Sequence, residues 1–230
     1  MTERMPATKL LTIGSKTPTP LSAILMKPRK SRACFVFAHG AGAGMSHPFM
    51  EQVATELYGR GIATLRYQFP FMEKGSKRPD SPVVAHGAVR AAVAEARKRC
   101  LGLPLVAGGK SFGGRMTSQA QAVLPLDGVQ GLAFLGFPLH PPGKPSVTRA
   151  EHLSEIRIPL LFVQGTRDKL AEATLLAPAL KRLGRRATVH LVDQADHGFH
   201  VPARSGRNDR EVIAEVVDAF SIWIDRVVSM

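Results

Sequence analysis

The apolar run Leu103–Ala107 passes without a spacer into Gly108-Gly109-Lys110-Ser111-Phe112-Gly113-Gly114, and a helical pattern follows to about Val123. Few architectures accommodate a strand that turns so abruptly into a helix with small residues on both sides of the turn. It calls for a sheet with helices packed directly on its faces.

The rest of the chain reads the same way. Leu10–Ile13 and Leu21–Met26 look like an opening antiparallel pair, and Cys34–Ala38 is a continuous apolar strand. A helix is expected from Pro48, whose fixed φ suits a first turn, to a stop at Gly61. Ile62–Tyr67 is the next strand, and Gln68–Asp80 reads as a loop. Ser81-Pro82 opens a helix to about Cys100, with a capping residue followed by proline. Val129–Leu135, Pro159–Gln164 and Thr188–Asp193 are further strands, and Ala171–Leu183 is helical. Val212, Ile213, Val216, Val217, Phe220 and Ile224 build one apolar face of a last helix. There is no internal repeat or low-complexity linker, and residues 1–230 read as one domain. The expected fold class is α/β: a mostly parallel, doubly wound sheet with an antiparallel N-terminal strand pair.

Gly109-Lys110-Ser111-Phe112-Gly113 matches G-x-S-x-G, a pattern that holds a serine on a strained strand-to-helix turn. Larger residues two positions either side would collide with that turn. The helix that follows aims its first amides at the serine, which favours negative charge there. Two other readings compete. A phosphate-cradling P-loop needs glycine five positions before Gly109, where Pro104 stands. A glycine-rich turn without chemistry stays open on the pentapeptide alone.

A serine hydroxyl needs a base to take its proton, and the base needs a third group to orient it. On such a sheet the chain order is serine, acid, histidine. Asp168 follows the strand ending near Gln164, and a carboxylate there can reach sideways toward the last strand. Of eight histidines, His197 lies just after the final strand and is the candidate base, with His200 the runner-up. His190 falls inside a strand, His86 and His152 in helical segments, and His140 in a proline-rich loop. Asp196 adjoins His197 in sequence and would point elsewhere, so Asp168 is preferred.

An oxyanion formed at Ser111 requires two backbone N–H donors. The amide of Phe112 is one, and the loop His39-Gly40-Ala41-Gly42-Ala43-Gly44 offers the other through Ala41, with Gly42 as the alternative. His39 then holds that loop by hydrogen bonding. A dinucleotide reading of the glycines fails because Met45 occupies the third position of G-x-G-x-x-G. Phe69, Phe71, Phe112 and Phe199 are candidates to line an apolar substrate pocket, although core packing is the commoner fate of phenylalanine. Arg66, at the C-terminal end of a strand, is a candidate to anchor a substrate carboxylate or to pair with a buried acid.

The net charge of +13 raises the question of nucleic acid. The basic residues fall in short scattered groups, and the aromatics, 6% of residues, are not interleaved with them as a stacking surface requires. Nucleic acid is not expected as a partner. Cys34 and Cys100 show neither disulfide-framework nor zinc-ligand spacing, so no metal or cofactor is expected and a reducing cytoplasm is the expected compartment. No apolar run is long enough to span a membrane, and the N-terminal segment does not read as a secretory signal.

Four segments carry a resemblance: Phe37-Ala38-His39-Gly40-Ala41-Gly42, Gly109-Lys110-Ser111-Phe112-Gly113-Gly114-Arg115, Gln164-Gly165-Thr166-Arg167-Asp168 and Ala195-Asp196-His197-Gly198-Phe199-His200. Together they resemble small α/β-hydrolases of the dienelactone-hydrolase-like group. They are more similar still to the branch that includes a testis-expressed hydrolase-like protein and a chromatin acetyltransferase subunit. Arg66–Met72 and Gly136–Pro145 also resemble segments of that branch. The resemblance implies the α/β-hydrolase fold and a Ser–Asp–His triad, and leaves the substrate unspecified. Dienelactone hydrolases use cysteine as nucleophile, whereas the matching residue is Ser111.

The interval between Leu135 and Pro159 is short and rich in proline and charge, so no substantial lid is expected. The expected activity is serine hydrolysis of a small carboxylic ester or related acyl substrate. The alternative is a weak or inactive hydrolase-like interaction protein, since fold alone does not confer activity.

Overall fold

A computed structural model describes residues 8–14 and 19–229. Eight strands form one sheet: β1 (Thr8–Ile13), β2 (Leu21–Met26), β3 (Ala33–Ala38), β4 (Ile62–Tyr67), β5 (Leu105–Lys110), β6 (Val129–Leu135), β7 (Leu160–Gly165) and β8 (Ala187–Val192). Their order is β1-β2-β4-β3-β5-β6-β7-β8. β1 and β2 are antiparallel to their neighbours, and every pairing from β4 to β8 is parallel. The fold is therefore the expected α/β-hydrolase sheet with its antiparallel N-terminal pair.

Side-chain alternation along the central strands divides the interior into two layers. Cys34, Val36 and Ala38 of β3 face a core shared with helices α3 (Pro82–Arg99), α4 (Phe112–Val123) and α5 (Ala173–Lys181). Phe35 and Phe37 face the opposite core, shared with α1 (Pro48–Gly59) and α6 (Asp209–Val228). The apolar face expected of α6 is buried as a whole, with Phe220 against Phe35 and Trp223 against Phe220. Each such side chain contributes about 1.5–3 kcal/mol. The helix starts on a capping box between Asn208 and Glu211.

Two local expectations need correction. The Gln68–Asp80 segment contains a short helix, α2 (Pro70–Glu73), because Pro70 presets its first turn and Phe71 finds a buried site. β5 runs on to Lys110: Gly108 and Gly109 read as a turn in sequence, yet both pair with β3 and β6 in the sheet. They are glycines because a Cβ on Gly108 would lie 1.8 Å from the Ala133 carbonyl oxygen, and one on Gly109 2.2 Å from that of Ala38. Cys34 and Cys100 are both free and buried.

Between β6 and β7 the chain forms loops and one 3-10 helix, Thr148–Glu155, so no lid domain covers the sheet. No helix among the described residues is long and apolar enough to cross a membrane.

Candidate active site

Ser111 sits at the junction of β5 and α4 with φ 49° and ψ −114°. Positive φ in a non-glycine residue stores strain of about 1–3 kcal/mol, and it persists only where the surroundings fix it. Here they do. The Ser111 amide donates to the Leu135 carbonyl at 3.2 Å, and its own carbonyl accepts from Arg115 in the first turn of α4. Gly113 lets that helix approach β3, because a Cβ there would lie 2.5 Å from the His39 carbonyl oxygen.

The structure brings Ser111, His197 and Asp168 together. The Ser111 hydroxyl lies 2.8 Å from His197 Nε2, and His197 Nδ1 lies 2.7 Å from Asp168 Oδ2. Asp168 is buried, whereas the imidazole keeps about a quarter of its surface exposed, 26%. The carboxylate has two further donors: Gln164 Nε2 at 2.5 Å to Oδ2 and the Leu170 amide at 2.8 Å to Oδ1. Gln164 is itself fixed, since its Oε1 accepts from the Phe137 amide.

The histidine loop is a tight turn. Asp196 Oδ1 accepts from the amides of Gly198 and His200, so it closes the turn, away from the imidazole. His200 is exposed and its ring faces Asp209 at 2.7 Å, at the start of α6. Other histidines have evident partners: His190 faces Glu215 and His152 faces Ser118. His140 departs from the usual surface fate of a loop histidine. Burial of its ring lowers the pKa, but the bonds to the Pro141 carbonyl and Glu172 outweigh that and raise it.

His39 holds the glycine loop as expected. The Phe69 amide donates to its Nε2 at 3.0 Å, so Nδ1 carries the proton and donates to the Gly40 carbonyl at 2.8 Å. Burial lowers its pKa and keeps it neutral. Gly40 packs against the turn at Ser111, where a Cβ would lie 3.8 Å from the Ser111 Cβ. Ala41 and Phe112 thus lie on two backbone segments that meet at Ser111.

Phe69, Phe199 and Arg66 have no surface to offer a ligand, which corrects their placement in a pocket wall. Phe69 is fully buried, edge-on to Tyr67, His39 and Phe112. Phe199 is buried and stacks on Phe49 at 5.7 Å. Arg66 points inward, donates to the Met45 carbonyl and contacts Met26 Sδ, and desolvation lowers its pKa. Core packing and a loop tether account for all three.

Two residues beside Ser111, His197 and Asp168 escape the sequence patterns. Gln164 reads as the end of an apolar strand, and nothing in its spacing marks it. Lys110 occupies the variable position of G-x-S-x-G, yet its ammonium donates to the His197 carbonyl and lies 5.2 Å from the Phe199 ring centre. Burial lowers its pKa to about 8, opposed by Asp168 and Asp196. A lysine between Gly109 and Ser111 at the end of a buried strand was the available signal. A cleft of about 740 Å³ opens beside the Asp168–His197 pair, bordered by Arg167, Lys169, Glu172 and His200.

Comparison with solved structures agrees with this fold. A dienelactone hydrolase from Anabaena variabilis superposes with a TM-score of 0.75 at 19% identity, covering 97% of this chain and 99% of that one. A lid-less α/β serine hydrolase from Xanthomonas campestris gives 0.72 at 18% identity over 94% of each chain. An esterase domain from a Rhodothermus marinus protein gives 0.73 at 18% identity, covering 96% of this chain and 99% of that one. Residues 31–225 match the alpha/beta hydrolase domain family, and the chain belongs to it.

Proposed function

We propose that this chain is a serine hydrolase of small carboxylic esters or related acyl substrates, acting through an acyl-enzyme on Ser111. The observation that carries the reading is the hydrogen-bonded series Ser111–His197–Asp168, set on a strained turn at the start of a helix. His197 takes the hydroxyl proton as Ser111 Oγ bonds to the acyl carbon. The carbonyl oxygen becomes an oxyanion held by the amides of Phe112 and Ala41. His197 then gives the proton to the leaving alcohol as the ester C–O bond breaks. A water, deprotonated by His197, attacks the acyl-enzyme and releases the acid and free Ser111. Asp168 keeps the imidazole in the required tautomer and stabilises its charge.

The Rhodothermus marinus esterase domain and the Xanthomonas campestris serine hydrolase share the fold and support the assignment. The segments Arg66–Met72 and Gly136–Pro145 support the finer placement in the branch with the testis-expressed and acetyltransferase-subunit proteins. We place its action in one domain, in the cytoplasm, on a small molecule, with no nucleic acid as partner.

The test is stopped-flow hydrolysis of p-nitrophenyl esters of two to eight acyl carbons. A burst of nitrophenol equal to the enzyme concentration, absent from Ser111→Ala, is expected. Turnover without a burst that persists in Ser111→Ala would contradict the acyl-enzyme.

A further inference from the structure

Arg115 lies one helical turn beyond Ser111, its amide donating to the Ser111 carbonyl at 3.1 Å. Helical side chains lean toward the N-terminus of their helix. Arg115 accordingly leans back over the turn that bears the serine, with its guanidinium carbon 5.8 Å from the Phe112 ring centre. The side chain is half-buried, and its Nε is buried without any hydrogen-bond partner. Arg32, Arg60 and Arg207 meet Asp225, Asp218 and Glu215, and Arg66, Arg90 and Arg186 donate to backbone carbonyls, whereas the Arg115 side chain does neither. Arg115 has no such carboxylate among the described residues.

Its surroundings add more positive charge. Arg149 and His152 approach from the 3-10 helix, and His86 from α3. Repulsion from Arg149 together with burial lowers the Arg115 pKa to about 10, and burial with Arg115 and His86 lowers that of His152 to about 4. No carboxylate is among the groups that set these charges. An orphaned buried donor beside an unneutralised cation is costly for the fold alone and marks a place for an anion.

We propose that Arg115 and Arg149 form a subsite for a carboxylate on the acyl chain of the ester, so that the substrate is a half-ester of a dicarboxylic acid. This deepens the serine-hydrolase reading and rests on it. A half-ester with three carbons between the reacting carbonyl and the carboxylate is the probe chosen for a subsite one helical turn from Ser111.

The experiment compares mono-p-nitrophenyl glutarate with p-nitrophenyl valerate, which has the same number of acyl carbons and no charge. The parent should favour the glutarate ester at least tenfold in kcat/KM. That preference should fall at least tenfold in Arg115→Gln and in Arg149→Gln, chiefly through KM, and recover in part in Arg115→Lys. A preference near one in the parent, or one unchanged by both substitutions, overturns the subsite. Because Arg149 lies on a separate element, it keeps the test readable if Arg115→Gln fails to fold. A chemical-shift titration of Ser111→Ala with monomethyl glutarate supplies an arm that needs no turnover. Binding that weakens at least tenfold with Arg149→Gln supports the subsite even if the parent hydrolyses neither ester, an outcome that removes the hydrolase reading alone. Valerate turnover with neither glutarate preference nor binding removes the subsite alone.

Discussion

The ammonium of Lys110 donates a hydrogen bond to the backbone carbonyl of His197, so the residue before Ser111 in sequence also tethers the loop that faces it. A charge-assisted bond of this kind contributes about 1.5–3 kcal/mol, enough to place an imidazole. Lys110→Met is expected to lower kcat about tenfold with little change in KM.

The same lysine gives a pH signature. With its folded pKa lowered to about 8, the ammonium is present below that pH and lost above it. Activity of the parent should therefore decline above pH 8, and Lys110→Met should lack that limb. In the unfolded chain lysine titrates near about 10.4, so between these values the unfolded state binds more protons and stability rises with pH. Thermal denaturation at pH 7.5 and 10 should show that rise in the parent more strongly than in Lys110→Met. Equal pH dependence in both would contradict a neutralised Lys110.

Gln164 spans the acid and the chain after β6, donating to Asp168 and accepting from Phe137. Gln164→Leu leaves the Phe137 amide buried without a partner, at a cost of about 1–3 kcal/mol. It should also lower kcat about tenfold, because Asp168 loses one of its donors. Steady-state kinetics and urea denaturation read the two effects, and unaltered kcat would remove Gln164 from the site.

The strained φ of Ser111 predicts a trade between stability and chemistry. Glycine adopts that conformation freely, so Ser111→Gly should abolish ester hydrolysis while stabilising the fold by about 1 kcal/mol. A lower melting temperature than the parent would show that the turn is unstrained.

Two glycine-to-alanine substitutions should act in opposite directions. At Gly113 a Cβ meets the His39 carbonyl and Ala38, so Gly113→Ala should destabilise by about 3 kcal/mol or prevent folding. At Gly87 in α3 the space is open, and Gly87→Ala should stabilise by up to about 1 kcal/mol. Denaturant midpoints of the pair test whether close approach alone sets the difference.

Much of this architecture was legible because period-two and helical patterns survive in the elements that bury one face, such as β3 and α6. The grouping of Ser111, Asp168 and His197 was legible because strand ends converge on one edge of a parallel sheet, which fixes chain order. Phe69, Phe199 and Arg66 were misplaced for a physical reason. Position near a strand end does not say whether a side chain turns outward or folds back, and these three turn in. Gln164 and Lys110 were invisible because their roles depend on contacts with residues 4 and 87 positions away that no local pattern encodes. α2 was missed because a four-residue helix has no periodicity to read.

The central claim is that Ser111 is an activated nucleophile, and intact mass after incubation with a fluorophosphonate probe tests it most directly. A single adduct is expected on the parent, none on Ser111→Ala, and strongly slowed labelling of His197→Ala. A folded parent that stays unlabelled while a control serine hydrolase reacts, or an adduct that persists in Ser111→Ala, would contradict it.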